Sequence, residues 1–367
     1  MNWPVPLPIF SDLPHLFFSG GESYPQGFGI VHGYGQPTWF LGGAEALTFV
    51  CKRTGELNSQ LPFVWVPAYF CGQSLRYLRT FGVNFVFYPV SDHLEPDWQR
   101  LDEMSESSRV DVFVLVHYFG RVSAQKAARS FCDRTDAVLV EDCAHVIWPE
   151  SVPVWLGDYL FFSPHKHFPI PQGGALYSKE QFNFTQEVDP FPWMWLIRRL
   201  MRRYLLRGMR KVNVEGWRVI WSEGGERACD RTPSKNVMSL FQSKITKIDQ
   251  IISKVRDNAK QLLQLLDSVE GWCPVIPYHV DSFTPYMIGM RCNSEAIAKR
   301  RYLRLINGKC LVKMWPDLPV EIKPDISGAW ADVINRTRET IFFVIHDQLD
   351  FHEIMRQVEN VLSGDNF

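Results

Sequence analysis

Six stretches in the first half of the chain are apolar without alternation: FVWV (63–66), NFVFY (84–88), VDVFVLV (110–116), AVLVE (137–141), YLFFS (159–163) and GALYS (174–178). Side chains of a strand alternate between its two faces, so an unbroken Val- and Phe-rich run marks a strand covered on both sides. Between these runs lie segments with helical character: 43–53, which follows a glycine pair, 72–81, and 123–134, where Ser123 stands as the expected N-cap. This alternation predicts an α/β domain built on a mainly parallel sheet covered by helices. Such sheets bind ligands at the carboxyl ends of their strands.

The pattern changes near residue 240. LFQSKITKIDQIISKVRDNAKQLLQLLDSV repeats apolar residues at helical spacing with charges between them, which predicts one long amphipathic helix over 236–268. Shorter strand-like pieces follow, PYMIGMRC, LVKMW and TIFFVIH, then a terminal helix near 350–362. The expected organisation is a large α/β domain over 1–235 and a smaller C-terminal α+β domain over 236–367 that opens with the long helix.

Composition narrows the function classes. Of 367 residues, 39 are Lys or Arg and 40 are Asp or Glu, a net charge of −1. A general nucleic-acid binder would carry a basic surplus, so no nucleic-acid partner is expected. No uncharged apolar run approaches the ~18 residues that span a bilayer. The N-terminal MNWPVPLPIF has no basic start and carries prolines in its apolar stretch, unlike a signal peptide. The eight cysteines (Cys51, Cys71, Cys132, Cys143, Cys229, Cys273, Cys292 and Cys310) include no C-x-x-C pair. That spacing argues against a disulfide framework and a zinc site, so no metal is expected; buried free thiols in a reducing cytoplasm fit it.

Four segments carry candidate chemistry. In LGGAEAL (41–47) a glycine pair opens a helix, where bare N–H groups and a partial positive charge suit an anion; a plain glycine turn would read the same. VLVEDCAH (138–145) puts an acidic pair at the end of a buried strand, at the ligand edge of the sheet or simply satisfied by neighbouring N–H groups. In FFSPHKHFPIPQGGALYS (161–178) a lysine between two histidines follows a strand, in apolar and aromatic surroundings that disfavour its ammonium form and free the amine to attack an aldehyde. VPAYFCGQS (66–74) sets an aromatic cluster at a strand-to-helix junction, able to face a flat ring or to fill core.

Taken in order, with HYFG (117–120), EDCAH followed by K-x6-GG, and the late PY (285–286), WPDLP (315–319) and VIHDQL (344–349), these segments resemble the DegT/DnrJ/StrS family of pyridoxal-phosphate-dependent sugar aminotransferases. The resemblance runs from about residue 35 to 350. It implies fold type I, a mainly parallel seven-stranded-type sheet with a smaller C-terminal domain, and pyridoxal 5′-phosphate (PLP) as cofactor. By the same resemblance Lys166 forms the internal aldimine and shuttles the substrate proton, and Asp142 pairs with the pyridine nitrogen. His145 takes the place near the phenolic oxygen, Gly42, Gly43 and Ala44 hold the phosphate, and Ser163 adds a hydroxyl. The residue stacking on the ring would come from Tyr69, Phe70 or Cys71; simple offset from Pro67 lands on Cys71.

The implied activity is transfer of an amino group from an amino acid donor, glutamate by expectation, to a keto-sugar or related carbonyl substrate, in a cytoplasmic homodimer. The same electron sink also serves a dehydratase, lyase or racemase, and a catalytically lapsed binding or regulatory homologue would keep the scaffold. Two departures from the family pattern stand out. The serine before the lysine is three residues away rather than five, and the phosphate loop has Gly43 and Ala44 where a hydroxyl residue is usual. His165 and His167 beside the lysine read as substrate-facing acid–base groups or, the favoured expectation, as loop histidines packed on aromatics. Separately, residues 191–218 carry eight basic side chains and a single acidic one, Glu215, among Trp193, Trp195, Leu196, Leu200, Tyr204 and Leu205. This basic amphipathic stretch suits an anionic membrane surface or a nucleotide-linked substrate; packing on its own protein or across a dimer contact is the favoured expectation.

Overall fold

The computed structural model describes residues 6–8, 10–14, 28–182, 185–201, 220–222, 230–315, 317–322 and 328–362. Its centre is a seven-stranded sheet of β1 (Thr38–Phe40), β2 (Phe63–Pro67), β3 (Asn84–Tyr88), β4 (Val112–Val116), β5 (Val138–Cys143), β6 (Tyr159–Phe162) and β7 (Gly174–Ser178). The strand order is β1-β7-β6-β5-β4-β2-β3. Strands β2 to β6 run parallel, while β7 is antiparallel to both β6 and β1. All six apolar runs are strands. The seventh strand, β1, is only three residues long and leaves no periodic signal.

Helices connect the strands. Helix α1 (Gly43–Leu57) starts at the glycine pair and runs past residue 53. Segment 72–81 is a 3-10 turn, Gly72–Leu75, followed by α2 (Arg76–Phe81), which Gly82 ends in the left-handed region at φ 83°. Asp97 caps α3 (Trp98–Ser105) by accepting from the Arg100 N–H. Helix α4 (Gln125–Thr135) begins later than its sequence pattern suggests, and Ser123 is not its cap. The Ser123 hydroxyl instead donates to the Glu95 carboxylate.

The expected helix over 236–268 is two helices. After α5 (Trp193–Leu200), α6 spans Lys235–Ile245 and α7 spans Ile248–Asp267. Helix α6 buries Val237, Met238, Leu240, Phe241 and Ile245 against Trp39, Phe162 and Phe168. Helix α7 buries Val255, Ala259, Leu262 and Leu266 with Ile288, Tyr302, Phe343 and Val358. The two apolar stripes serve different clusters, and one continuous helix cannot turn its stripe from one to the other, so the chain breaks at Thr246–Lys247.

The C-terminal pieces form a second, four-stranded antiparallel sheet of β8 (Trp272–Pro274), β9 (Met287–Cys292), β10 (Val312–Lys313) and β11 (Thr340–Val344), in the order β8-β9-β11-β10. Helices α8 (Glu295–Asn307), α9 (Ala331–Glu339) and α10 (Phe351–Leu362) accompany it. Leu318, Ile322, Val333, Ile334 and Phe342 from this part of the chain pack into the core of the seven-stranded sheet.

Among the described cysteines, Cys51, Cys132, Cys143, Cys292 and Cys310 are buried free thiols; Cys71 is half-buried and Cys273 is exposed, against the expectation of burial. Cys229 lies outside the described residues. So do residues 202–218 of the basic stretch, Tyr204 and Leu205 included, while its beginning forms α5. No helix among the described residues is long and apolar enough to cross a membrane.

Candidate active site

Strand β5 delivers Asp142 to the carboxyl edge of the sheet, paired in register with Val116 of β4 on one side and Phe161 of β6 on the other. The side chain is buried, and one carboxylate oxygen accepts the Ala144 N–H at 2.9 Å. Burial pushes this carboxyl above its ordinary range, against the pull of the Lys166 ammonium and the Ala144 N–H. After β6 the chain enters a 3-10 turn, Pro164–Lys166, with proline at its start and the Lys166 N–H donating to the Ser163 carbonyl at 2.9 Å. That turn aims Lys166 back over the strand ends. Lys166 and Asp142 line one cavity of about 410 Å³. Gly42, Gly43, Ala44, Phe70, Cys71, His145 and Ser163 line it as well.

The glycine pair is explained by crowding. A Cβ on Gly43 would lie 2.7 Å from the Ser163 hydroxyl oxygen and 2.9 Å from the Phe161 ring. A Cβ on Gly174 would lie 2.4 Å from the Gly42 carbonyl. Glycine at these positions lets the start of α1 press against β6 and β7, and Gly42, Gly43, Ala44 and Glu45 line the cavity.

His145 sits between two rings, 5.6 Å from Phe119 with planes 10° apart and 4.7 Å from Tyr286 with planes 18° apart. Its Nδ1 accepts the Phe119 N–H at 3.2 Å, which assigns the proton to Nε2. Burial, then the charges of Lys166, His167 and Lys313, hold this imidazole well below its ordinary value, so it is neutral. Tyr286 faces two lysines: the Lys313 Nζ is 5.2 Å and the Lys166 Nζ 6.0 Å from its ring centre. Burial alone would raise the phenol, but the charges of Lys313 and Lys166 and a hydrogen bond with Lys313 outweigh it and bring it below the ordinary range. His165 shares a hydrogen bond with the Gly173 carbonyl at 3.0 Å, and burial lowers its imidazole to about 4. His167 meets Tyr286 edge-on at 5.2 Å and is lowered by burial to about 3.

The three ring-stacking candidates separate. Tyr69 is fully buried, stacked on Trp315 at 4.8 Å, and does not line the cavity. Phe70 and Cys71 do. The Cys71 thiol donates to Asp317 at 3.5 Å, and the other Asp317 oxygen accepts the Gln73 N–H at 2.9 Å. Four further lining residues, Arg76, Tyr286, Lys313 and Trp315, carry no role in the sequence reading. Tyr286 and Trp315 lie in the late PY and WPDLP segments; Lys313, a lone charge inside LVKMW, was the available signal for the third.

No family model matches the chain. A serine hydroxymethyltransferase from Metallosphaera sedula is 42% identical over 64 residues, which is 16% of this chain and only 15% of that enzyme's length. Solved structures are similar over nearly the whole chain. PseC from Helicobacter pylori, an aminotransferase involved in the biosynthesis of pseudoaminic acid, superposes with a TM-score of 0.72 at 13% identity, covering 99% of this chain and 98% of that one. The aminotransferase TlmJ from Streptoalloteichus hindustanus gives 0.70 at 17% identity, covering 99% of each chain. Spr1654 from Streptococcus pneumoniae, named as a sugar aminotransferase and solved in a PLP-form, gives 0.71 at 12% identity over 99% of this chain and 98% of that one. The fold is therefore that of the PLP-dependent aminotransferases, with its central mostly parallel sheet.

Proposed function

We propose that this chain is a PLP-dependent aminotransferase of the DegT/DnrJ/StrS type, which moves an amino group from an amino acid, glutamate in our reading, to a keto-sugar or related carbonyl compound. One observation carries the reading: the Lys166 amine and the buried Asp142 carboxylate open into the same cavity, beside a glycine-opened helix start. The residues present fit the cofactor. Asp142 has one oxygen held by Ala144, and its raised carboxyl would gain from a cationic ring nitrogen beside it. The N–H groups at Gly43 and Ala44 and the Ser163 hydroxyl would hold the phosphate. When bound, PLP supplies an aldehyde for amine exchange and a ring that withdraws electrons from the substrate carbon.

The protein's own part is positioning and proton transfer. Lys166 acts as nucleophile and as the base that takes and returns the substrate proton. His145, neutral with its proton on Nε2, offers a donor to an anionic oxygen, and its two ring neighbours keep it from turning. Burial raises the Asp142 carboxyl, so a cation facing it would favour its ionised form.

The remaining elements of the proposal are a homodimer, a cytoplasmic location, and a division into two domains over 1–235 and 236–367. The test is the visible absorption spectrum of the purified protein before and after borohydride, for wild type and Lys166→Ala. A cofactor band in wild type that borohydride abolishes, and that Lys166→Ala lacks, supports the reading; a wild type that takes up no PLP ends it.

A further inference from the structure

The cavity holds a cation that the aminotransferase reading leaves unused. Arg76 lines it at the first residue of α2. Its guanidinium lies over the Tyr77 ring, 4.4 Å from the centre, and the Tyr77 hydroxyl donates to Glu45 at 3.1 Å in the first turn of α1. This chain of contacts ties Arg76 to the same helix start that lines the cavity. The Arg76 Nε is buried with no hydrogen-bond partner, and no carboxylate lies within ion-pair distance of the guanidinium among the described residues. Arg79, one turn further on, shows what a satisfied arginine in this helix looks like: it pairs with Glu321 at 2.6 Å and donates to the Gly72 carbonyl at 2.9 Å. A buried, charged donor left unpaired is costly, and it persists where a ligand supplies the acceptor.

We propose that Arg76 is an oxyanion-binding residue of this cavity, and that the oxyanion it takes is the cofactor phosphate. A guanidinium held over an aromatic ring has its planar fork of donors restrained, which suits two oxygens of a phosphate or carboxylate. Neither Gly43 nor Ala44 brings a hydroxyl to the start of α1, and Arg76 adds a charge to the same cavity. The assignment to the cofactor rests on the PLP reading; the oxyanion site does not. An anionic group of the substrate is the other source of the same chemistry.

The experiment uses the full chain, wild type, Arg76→Gln and Arg76→Lys. Thermal shifts are recorded with inorganic phosphate, PLP and pyridoxal are titrated by absorbance, and the KM of the amino donor is measured. We expect Arg76→Gln to weaken PLP about tenfold or more, as loss of a charge-assisted pair does, to leave pyridoxal unchanged, and to lose the phosphate-induced shift; Arg76→Lys recovers part of each. Unchanged PLP binding with a raised donor KM would keep the oxyanion site and move it to the substrate. A phosphate shift in wild type that Arg76→Gln loses, in a protein that takes no PLP, would keep the site and end the cofactor reading instead. Should Arg76→Gln and Arg76→Lys match wild type in every arm, the proposal is wrong.

Discussion

The imidazole of His145 lies against the phenol ring of Tyr286, centroids 4.7 Å apart and planes 18° apart. The two residues come from opposite ends of the chain's logic. His145 follows β5 in the EDCAH segment, whereas Tyr286 directly precedes β9 of the C-terminal sheet, where its N–H donates to the Phe119 carbonyl at 2.9 Å. The cavity is thus closed by a residue from the second sheet, held by a backbone hydrogen bond to the first part of the chain. Its phenol also collects the fields of Lys166 and Lys313.

That arrangement predicts an acidic tyrosine. With Lys313 and Lys166 outweighing the burial that would raise it, Tyr286 should ionise below the usual value of 10.0. Ultraviolet titration of the protein should show one tyrosine ionising early, and Tyr286→Phe should remove that component. Lys313→Met takes away the larger attractive charge, so the early component should move upward. A titration unaltered by Lys313→Met would show that the ion pair does not set the phenol.

The glycines of the helix start should not be equivalent. At Gly42 an added Cβ would meet the flexible end of Glu45 at 3.0 Å, which can move. At Gly43 it would collide with Phe161 of β6 and with Ser163, which caps the turn that follows it. Gly43→Ala should therefore cost about 1–3 kcal/mol, as overpacking does, and loosen cofactor binding, with Gly42→Ala well below it. Equal costs in denaturant unfolding would overturn the crowding argument.

How much of this was legible beforehand divides by range. Strands β2 and β4 to β7 announce themselves because each is buried on both faces, and β3, half-buried at the sheet edge, by its aromatic-rich run; that needs only local sequence. That Lys166 and Asp142 line one cavity follows from two such strands ending at one edge, which their order along the chain records. Arg76 and Lys313 did not announce themselves. Each reaches the cavity through contacts made far along the chain, such as Asp317 holding the turn before Arg76 at Gln73, and no periodicity records those. The break at Thr246–Lys247 was hidden for a related reason: both α6 and α7 are amphipathic, and which cluster each faces is set by their partners.

Acidification should weaken the fold through the histidines around Lys166. His165 and His167 have folded values of about 4 and about 3 against 6.5 when unfolded, with burial the main cause. Between those limits the unfolded chain binds protons that the folded chain refuses, so stability is lost as the pH falls from about 6.5 toward 4 and levels off below the folded values. Each such histidine adds a slope of about 1.4 kcal/mol per pH unit in that window. His165→Gln and His167→Gln should each flatten the curve of stability against pH, and a curve that keeps its wild-type slope in both would contradict their burial as neutral rings.

The adjacent acids at the end of β5 should fail in opposite ways. Successive residues of a strand point to opposite faces, so Asp142 faces the cavity and Glu141 the other side. There Glu141 is fully buried and accepts from His117 at 2.7 Å, Gln125 at 2.7 Å, and the N–H groups of Leu156 at 2.9 Å and Gly157 at 2.5 Å. Despite its burial, these donors hold its carboxyl below the ordinary value, so the stability it contributes is present above pH 4.5 and lost as pH falls through the folded value. Glu141→Ala strands four donors and should cost about 3–5 kcal/mol, as breaking a buried pair does. Asp142 is raised instead, so keeping it ionised in its buried setting at neutral pH costs stability. Asp142→Asn should leave the unliganded protein as stable as wild type or more so, yet lower turnover about a hundredfold or more, as losing a preorganised charge does. Thermal denaturation and steady-state rates on the two variants separate these outcomes. If Asp142→Asn unfolds the protein while Glu141→Ala spares it, the two faces of β5 have been assigned the wrong way round.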